Sequence, residues 1–222
     1  MSIKEQSIAF VVLIGGKSLR FGTDKGIFEI HGKPMLSYQL DTLKKFKKNI
    51  YIIGHSLQQI NIYREKIGYN DKVIFLVDNR ELIDNPEVRT PMIGLYTAFK
   101  KLKQEKIDKT FVFSCDTPLI KHEAIKFMID RGYEHDCCIP QWRNGFLEPL
   151  LAIYPTNKAL ISIEKCLKDR NYKLINLLDK KWNIFRISIE ELIQPLDQNL
   201  LTFINVNHPI DLEKLLEQYK KS

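Results

Sequence analysis

Apolar and polar positions along the chain alternate between two spacings. Ser7–Ile14 (SIAFVVLI) is an unbroken apolar run closed by glycine, the pattern of a strand covered on both faces. FEIHGKPML follows as a short strand, a His31-Gly32 turn and a helix that Pro34 opens, running to about Lys47 with Leu36, Leu40, Leu43 and Phe46 on one side. NIYIIG is the next strand. A polar helix from Leu57 to Ile67 leads to KVIFLVDN, a further buried strand. TPMIGLYTAFKKLKQ reads as a helix with Pro91 near its start, KTFVFSCDTP as a strand stopped by Pro118, and the segment from Lys121 to Arg131 as a helix. In the second half, DCCIPQW and PLLAIYP flank RNGFLE and predict two antiparallel strands joined by a turn. A helix from Asn157 to Lys168, a short one near Leu174 to Asp179, the strands NIFRISI and LTFINVN, and a helix from Pro209 complete the series.

Strand–helix–strand alternation with continuously apolar strands predicts a three-layer α/β/α, Rossmann-like fold. Its sheet is mostly parallel, with an antiparallel portion in the second half. No composition shift or linker divides the chain, so residues 1–222 read as one domain, with a nucleotide-binding N-terminal part and a substrate-facing C-terminal part. No apolar run approaches the ~20 residues that span a bilayer. The first apolar run ends in glycines and cations rather than a cleavage site, so it reads as a strand and not a signal peptide, and a cytoplasmic protein is expected.

Charge adds little. Lys and Arg exceed Asp and Glu by 34 − 27 = 7, but the lysines are spread over helical faces, and no RNA-binding signature or zinc-finger spacing accompanies them. The four cysteines form no C-x-x-C pair and read as buried apolar residues. None of the five histidines has a nucleophile or acidic partner at a triad spacing.

Ligands of parallel sheets sit beyond the C-terminal ends of the strands, so the residues there carry the chemistry. After the first strand come Gly15, Gly16, Lys17, Ser18, Arg20, Gly22, Asp24 and Lys25. Bare glycine amides and cations suit a polyphosphate, and a tight turn with solvated lysines is the other reading. Gly16-Lys17-Ser18 matches the end of a G-x-x-x-x-G-K-[ST] loop, but its first glycine would fall on Val11, inside the strand, and the loop is not G-x-G-x-x-G either. Asp78 follows the third strand and Asp116 the fourth, where a carboxylate either holds a magnesium ion or caps the next helix. Asn205 and Asn207 sit on one face of an extended segment, offering amides to a ligand or to the helix that Pro209 begins. Lys168, Arg170 and Lys173 form a basic cluster, either solvated or suited to a phosphate.

The order LIGGKSLRFGTDKG, GKP, CDTP, EPLLAIYP, NVNHP resembles the molybdenum cofactor guanylyltransferase family from about Ile8 to Leu216. That family uses a loop of the form L-A-G-G-x-S-x-R-M-G-x-D-K; here Ile14 stands for the alanine and Phe21 for the methionine. The resemblance implies GMP transfer from GTP to molybdopterin, release of pyrophosphate, Mg2+ as cofactor, and transient contact with cofactor-delivery or molybdoenzyme partners; with no aromatic–basic interleaving and no long apolar run, no nucleic acid or membrane partner is expected. It places Leu13, Ile14, Gly15 and Gly16 against the nucleotide, Lys25 and Arg20 on the triphosphate, Asp78 on the nucleoside and Asp116 on the metal. Gly94 falls where a small residue permits close approach; Glu148, Asn205 and Asn207 face the molybdopterin, and Lys173 lies in a region that receives its phosphate. Transfer from CTP, transfer to a sugar phosphate, and a non-catalytic nucleotide-binding module are the alternatives. Possession of both Lys25 and Asp116 argues against the last.

Overall fold

The computed structural model describes residues 7–14, 24–68 and 71–206. Its elements are β1 (Ile8–Leu13), β2 (Glu29–Ile30), β3 (Lys33–Pro34), α1 (Met35–Lys44), β4 (Ile50–Gly54), α2 (Leu57–Ile67), β5 (Val73–Val77), α3 (Pro91–Gln104), β6 (Lys109–Ser114), α4 (His122–Gly132), β7 (Cys137–Gln141), β8 (Leu151–Pro155), α5 (Thr156–Lys168) and β9 (Ile184–Ser188). Seven strands form one sheet in the order β5-β4-β1-β6-β8-β7-β9. Every pairing is parallel except those of β8, which runs against both β6 and β7. The expected three-layer fold, mostly parallel with an antiparallel portion in the second half, is borne out.

The layers follow from alternation along the strands. In β1 and its extension, Ile8, Phe10, Val12 and Ile14 face α1, α2 and α4, where they meet Leu36, Leu40, Ile60, Tyr63, Ile125 and Met128. Ala9, Val11 and Leu13 face α3 and α5, against Met92, Leu95, Phe99, Ala159 and Ile163. Phe10 lies edge-on to Phe46, Phe111 and Phe113, an aromatic core beneath the first layer. From β1 the chain winds outward to β4 and β5, then returns to set β6 on the other side of β1. The strand order therefore reverses between β1 and β6, which is where a wound sheet opens a binding crevice.

Three expectations need correction. Pro34 does not open α1 from within: it closes β3 and precedes the helix, because His31 and Gly32, both with positive φ (51° and 73°), turn the chain into a small hairpin first. KVIFLVDN is not a buried strand. As the sheet's edge it stays half-exposed, and Val77 is exposed. LTFINVN is not a strand: Leu201–Phe203 form a 3₁₀ turn. The buried Asp197 carboxylate accepts from Leu201 N (3.0 Å) and Thr202 N (2.8 Å), taking amides that a ladder would need, and Leu200 is left-handed at φ 50°. The helix expected from Pro209 lies outside the described residues.

Candidate active site

The site is built where β1 and β6 end side by side. Leu13 pairs with Ser114, and Cys115 N donates to Leu13 O at 3.1 Å, so the two strands deliver Ile14 and Asp116 to one rim. Lys25 begins a short 3₁₀ turn, Lys25–Ile27, and its Nζ lies 3.9 Å from Asp116 Oδ2. Asp116 does not cap α4, which starts six residues later with Lys121 at its N-cap position, and Thr117 donates its hydroxyl to Ser114 O. Among the described residues Asp116 Oδ1 is buried and has no hydrogen-bond partner, a state it shares with Gln39 Oε1 and Glu190 Oε2. A buried oxygen left unpaired is costly, and of the three this one belongs to the carboxylate beside Lys25, just past the end of β6. The main-chain oxygen of Asp116 accepts from Val206 N at 2.9 Å, so the segment carrying Asn205 docks beside it.

A second group forms one strand further out. Asp78 N donates to Gly54 O at 2.8 Å, extending β4–β5 pairing by a residue. A Cβ on Gly94 would sit 3.0 Å from Leu13 Cδ2, which would have to give by a few tenths of an ångström, and in ordinary contact with Asp78 Oδ1 at 3.5 Å. Leu13, Asp78 and Gly94 thus lie side by side, and Leu13 belongs to the same strand, β1, that ends beside the Lys25–Asp116 pair. Burial pushes the Asp78 carboxyl up to about 6 against the pull of Arg80, His55 and Arg89. Because its folded value lies above the ordinary 3.8, the fold holds this proton more tightly than the unfolded chain does. Ionised Asp78 therefore costs stability above pH 6, and the cost fades as pH falls toward 4. Asp78→Asn is expected to raise stability by about 1–2 kcal/mol at pH 7.5, after discounting for residual solvent contact, and by nothing near pH 4. Urea midpoints at the two pH values check it; no gain at pH 7.5 would mean the carboxyl is solvated.

Glu148 lies on the same edge, ahead of β8, and its Oε1 accepts from Trp142 Nε1 at 2.6 Å. Lys173 is exposed in the segment after α5, and among the described residues no hydrogen bond or ion pair ties it to Asp116. Nearby, a cavity of about 510 Å³ between the β5–α3 connection and the end of α5 is lined by Glu81, Asp84, Lys168, Arg170 and Tyr172. It contains none of Lys25, Asp78 or Asp116. Gly15, Gly16, Arg20 and Asn207 lie outside the described residues. All four cysteines are buried and free, and burial together with the Asp116 and Asp24 carboxylates pushes the Cys115 thiol up, so it fills space as an inert thiol.

The sequence profile of the MobA-like NTP transferase domain matches residues 10–181. The chain belongs to this family. A probable molybdenum cofactor guanylyltransferase of Pyrococcus horikoshii is 34% identical over 205 residues, covering 90% of this chain and 95% of that protein. One from Aquifex aeolicus is 32% identical, covering 92% and 88%. The crystal structure of molybdopterin-guanine dinucleotide biosynthesis protein A from Archaeoglobus fulgidus superposes with a TM-score of 0.73 over 96% of this chain and 100% of that one, at 22% identity. The resemblance read from the loop and the CDTP step is borne out, and the MobA-like chain is a nucleotidyltransferase.

In this MobA-like site, sequence reasoning missed three residues. Gln59 and Tyr63 of α2 both bond to Asp24, the residue before Lys25, and Trp142 engages Glu148. The i, i+4 spacing puts Gln59 and Tyr63 on one face of α2, but nothing in the sequence ties that face to Asp24. Among the described residues no helix is long and apolar enough to cross a membrane.

Proposed function

We propose that the protein transfers GMP from GTP to molybdopterin, with Mg2+ as the working divalent ion. The observation that carries this reading is the juxtaposition of Lys25 with Asp116, whose second oxygen is buried and unpaired. The donor fits the ion: Mg2+ is commonly held by one or two carboxylates plus substrate phosphates and keeps several waters, so it needs no dedicated cage. No cluster of three metal-ligating side chains exists among the described residues, and none is required. Asp116 would hold the ion, which when bound supplies charge to the phosphate oxygens.

The remaining roles belong to the chain. Leu13 and Gly94 form the floor on which the nucleoside lies, with Asp78 as hydrogen-bond acceptor. Lys25, joined by Arg20, neutralises the triphosphate, while Ile14, Gly15 and Gly16 bring main-chain groups to it. Glu148, Asn205, Asn207 and Lys173 serve the acceptor. An acceptor phosphate oxygen forms a bond to the α-phosphorus, the bond from that phosphorus to its bridging oxygen breaks, and pyrophosphate leaves with the electron pair. The nucleophile is already an anion, so no general base or covalent intermediate is needed. Alignment and charge stabilisation lower the barrier. Residues 1–222 act as one domain, nucleotide in the first part and acceptor in the second.

Purified protein given GTP, Mg2+ and molybdopterin is expected to release pyrophosphate, and CTP in place of GTP to release little. Turnover with CTP alone would assign the other base. Tight GTP binding without pyrophosphate release from any acceptor would make the protein a binding module.

A further inference from the structure

We infer that Gln59, with Tyr63, is a positioning residue that sets Lys25 in the active site by clasping its neighbour Asp24; the inference rests on the nucleotide-binding reading above. The buried Gln59 amide has three partners of three kinds. Its Oε1 accepts from His55 N at 2.8 Å. Its Nε2 donates to Ile14 O at 2.9 Å and to Asp24 Oδ2. An amide has one acceptor group and two N–H donors, and here each is used. One side chain therefore ties together the turn after β4, the end of β1 and the start of the Lys25 turn.

Tyr63 stands one helical turn further along the same face of α2 and donates its hydroxyl to Asp24 Oδ1. Both carboxylate oxygens of Asp24 are thus held by α2, so this acid serves as an anchor. Gly26, two residues on, packs against the hydroxyl end of the same ring: a Cβ there would fall 2.8 Å from Tyr63 Cε1. Asp24 and Gly26 are fixed on either side of Lys25, which leaves its backbone little freedom. Its ammonium consequently reaches the Asp116 rim without the chain being ordered when the nucleotide arrives. Gly54 completes the fit, since a Cβ there would meet Gln59 Oε1 at 2.8 Å.

The requirement is for a neutral amide. Glutamate at position 59 has the same shape, but it cannot donate to Ile14 O and sets a second carboxylate against Asp24. Attraction between the ammonium and the phosphates falls as their separation grows, so an ammonium moved off its place binds them less tightly. Gln59→Glu and Gln59→Ala are therefore expected to raise the GTP dissociation constant about 10- to 100-fold, and Tyr63→Phe somewhat less. The deciding experiment is a double-mutant cycle with Lys25→Met, read by titration calorimetry with GTP and Mg2+ and no acceptor. If the clasp acts through Lys25, the change at position 59 shifts the dissociation constant less than twofold in the Lys25→Met background. Multiplicative effects would overturn the inference and leave Gln59 a part of the fold only. Should Gln59→Ala not fold, Gln59→Glu and Tyr63→Phe carry the same cycle. A wild-type protein that binds no GTP would instead sink the nucleotide reading, so the two failures are distinct.

Discussion

Asp116→Ala is expected to abolish nucleotidyl transfer while leaving the protein folded. One Asp116 oxygen lies 3.9 Å from the Lys25 ammonium and the other is buried with no hydrogen-bond partner among the described residues. Among those residues neither oxygen is hydrogen-bonded to the scaffold. Asp116 holds the Val206 segment through its main-chain oxygen, which the substitution keeps. Asp116 would act through the divalent ion it holds, and losing one such stabiliser of the charge on the phosphate oxygens costs about 10²–10³ in kcat. Stability moves the other way. An unpaired buried oxygen costs about 1–3 kcal/mol, so the urea midpoint of the variant should equal or exceed that of the wild type. Asp116→Asn keeps the shape and loses the charge, and it should be nearly as inactive. Pyrophosphate release and urea unfolding on the same preparations check both halves. A variant turning over within tenfold of the wild type, or one that unfolds, would remove Asp116 from its assigned place.

That combination, a dispensable side chain for the fold and an indispensable one for the chemistry, was partly legible in the sequence. A carboxylate directly after an apolar strand reads as a site residue in any wound sheet. What the residues alone left open was whether Asp116 caps the next helix, and that turned on where α4 begins. Local signals did well where backbone chemistry decides the outcome. The bounds of α2 match expectation because Ser56 accepts from Gln59 N at 3.2 Å at one end and Gly68 leaves the helix with φ 78° at the other. They failed where a distant or buried polar group competes. Alternation across LTFINVN resembles a strand, and only the fold reveals the Asp197 carboxylate that bends it into a turn. The edge position of β5 is likewise set by strand order, which apolar content does not encode. The clasp on Asp24 joins residues 35 and 39 positions apart, beyond the reach of any periodicity.

Lys25→Met should reduce catalysis nearly as far as loss of Asp116, for a different reason. Two polyanions must be brought together, and unit charges ~4 Å apart at an effective dielectric of ~20 interact by about 4 kcal/mol. A cation held in place before the substrates arrive offsets repulsion on that scale, so a fall of about 10²–10³ in kcat/KM is expected. Its ion pair with Asp116 contributes little to the resting fold. The ion pair is partly solvated, with side-chain exposures of 21% and 28%, and such pairs add at most about 1 kcal/mol. Methionine keeps the apolar stem, so the melting temperature should barely move. Lys25→Arg is the sharper test, because it preserves charge but replaces a compact ammonium by a broad planar fork. With Asp24 and Gly26 pinned on either side, the backbone cannot retreat to make room. Arginine should therefore recover only a small part of the lost activity. Full recovery would mean that any positive charge in the vicinity suffices, and that the rigid delivery of this one ammonium contributes nothing to the rate.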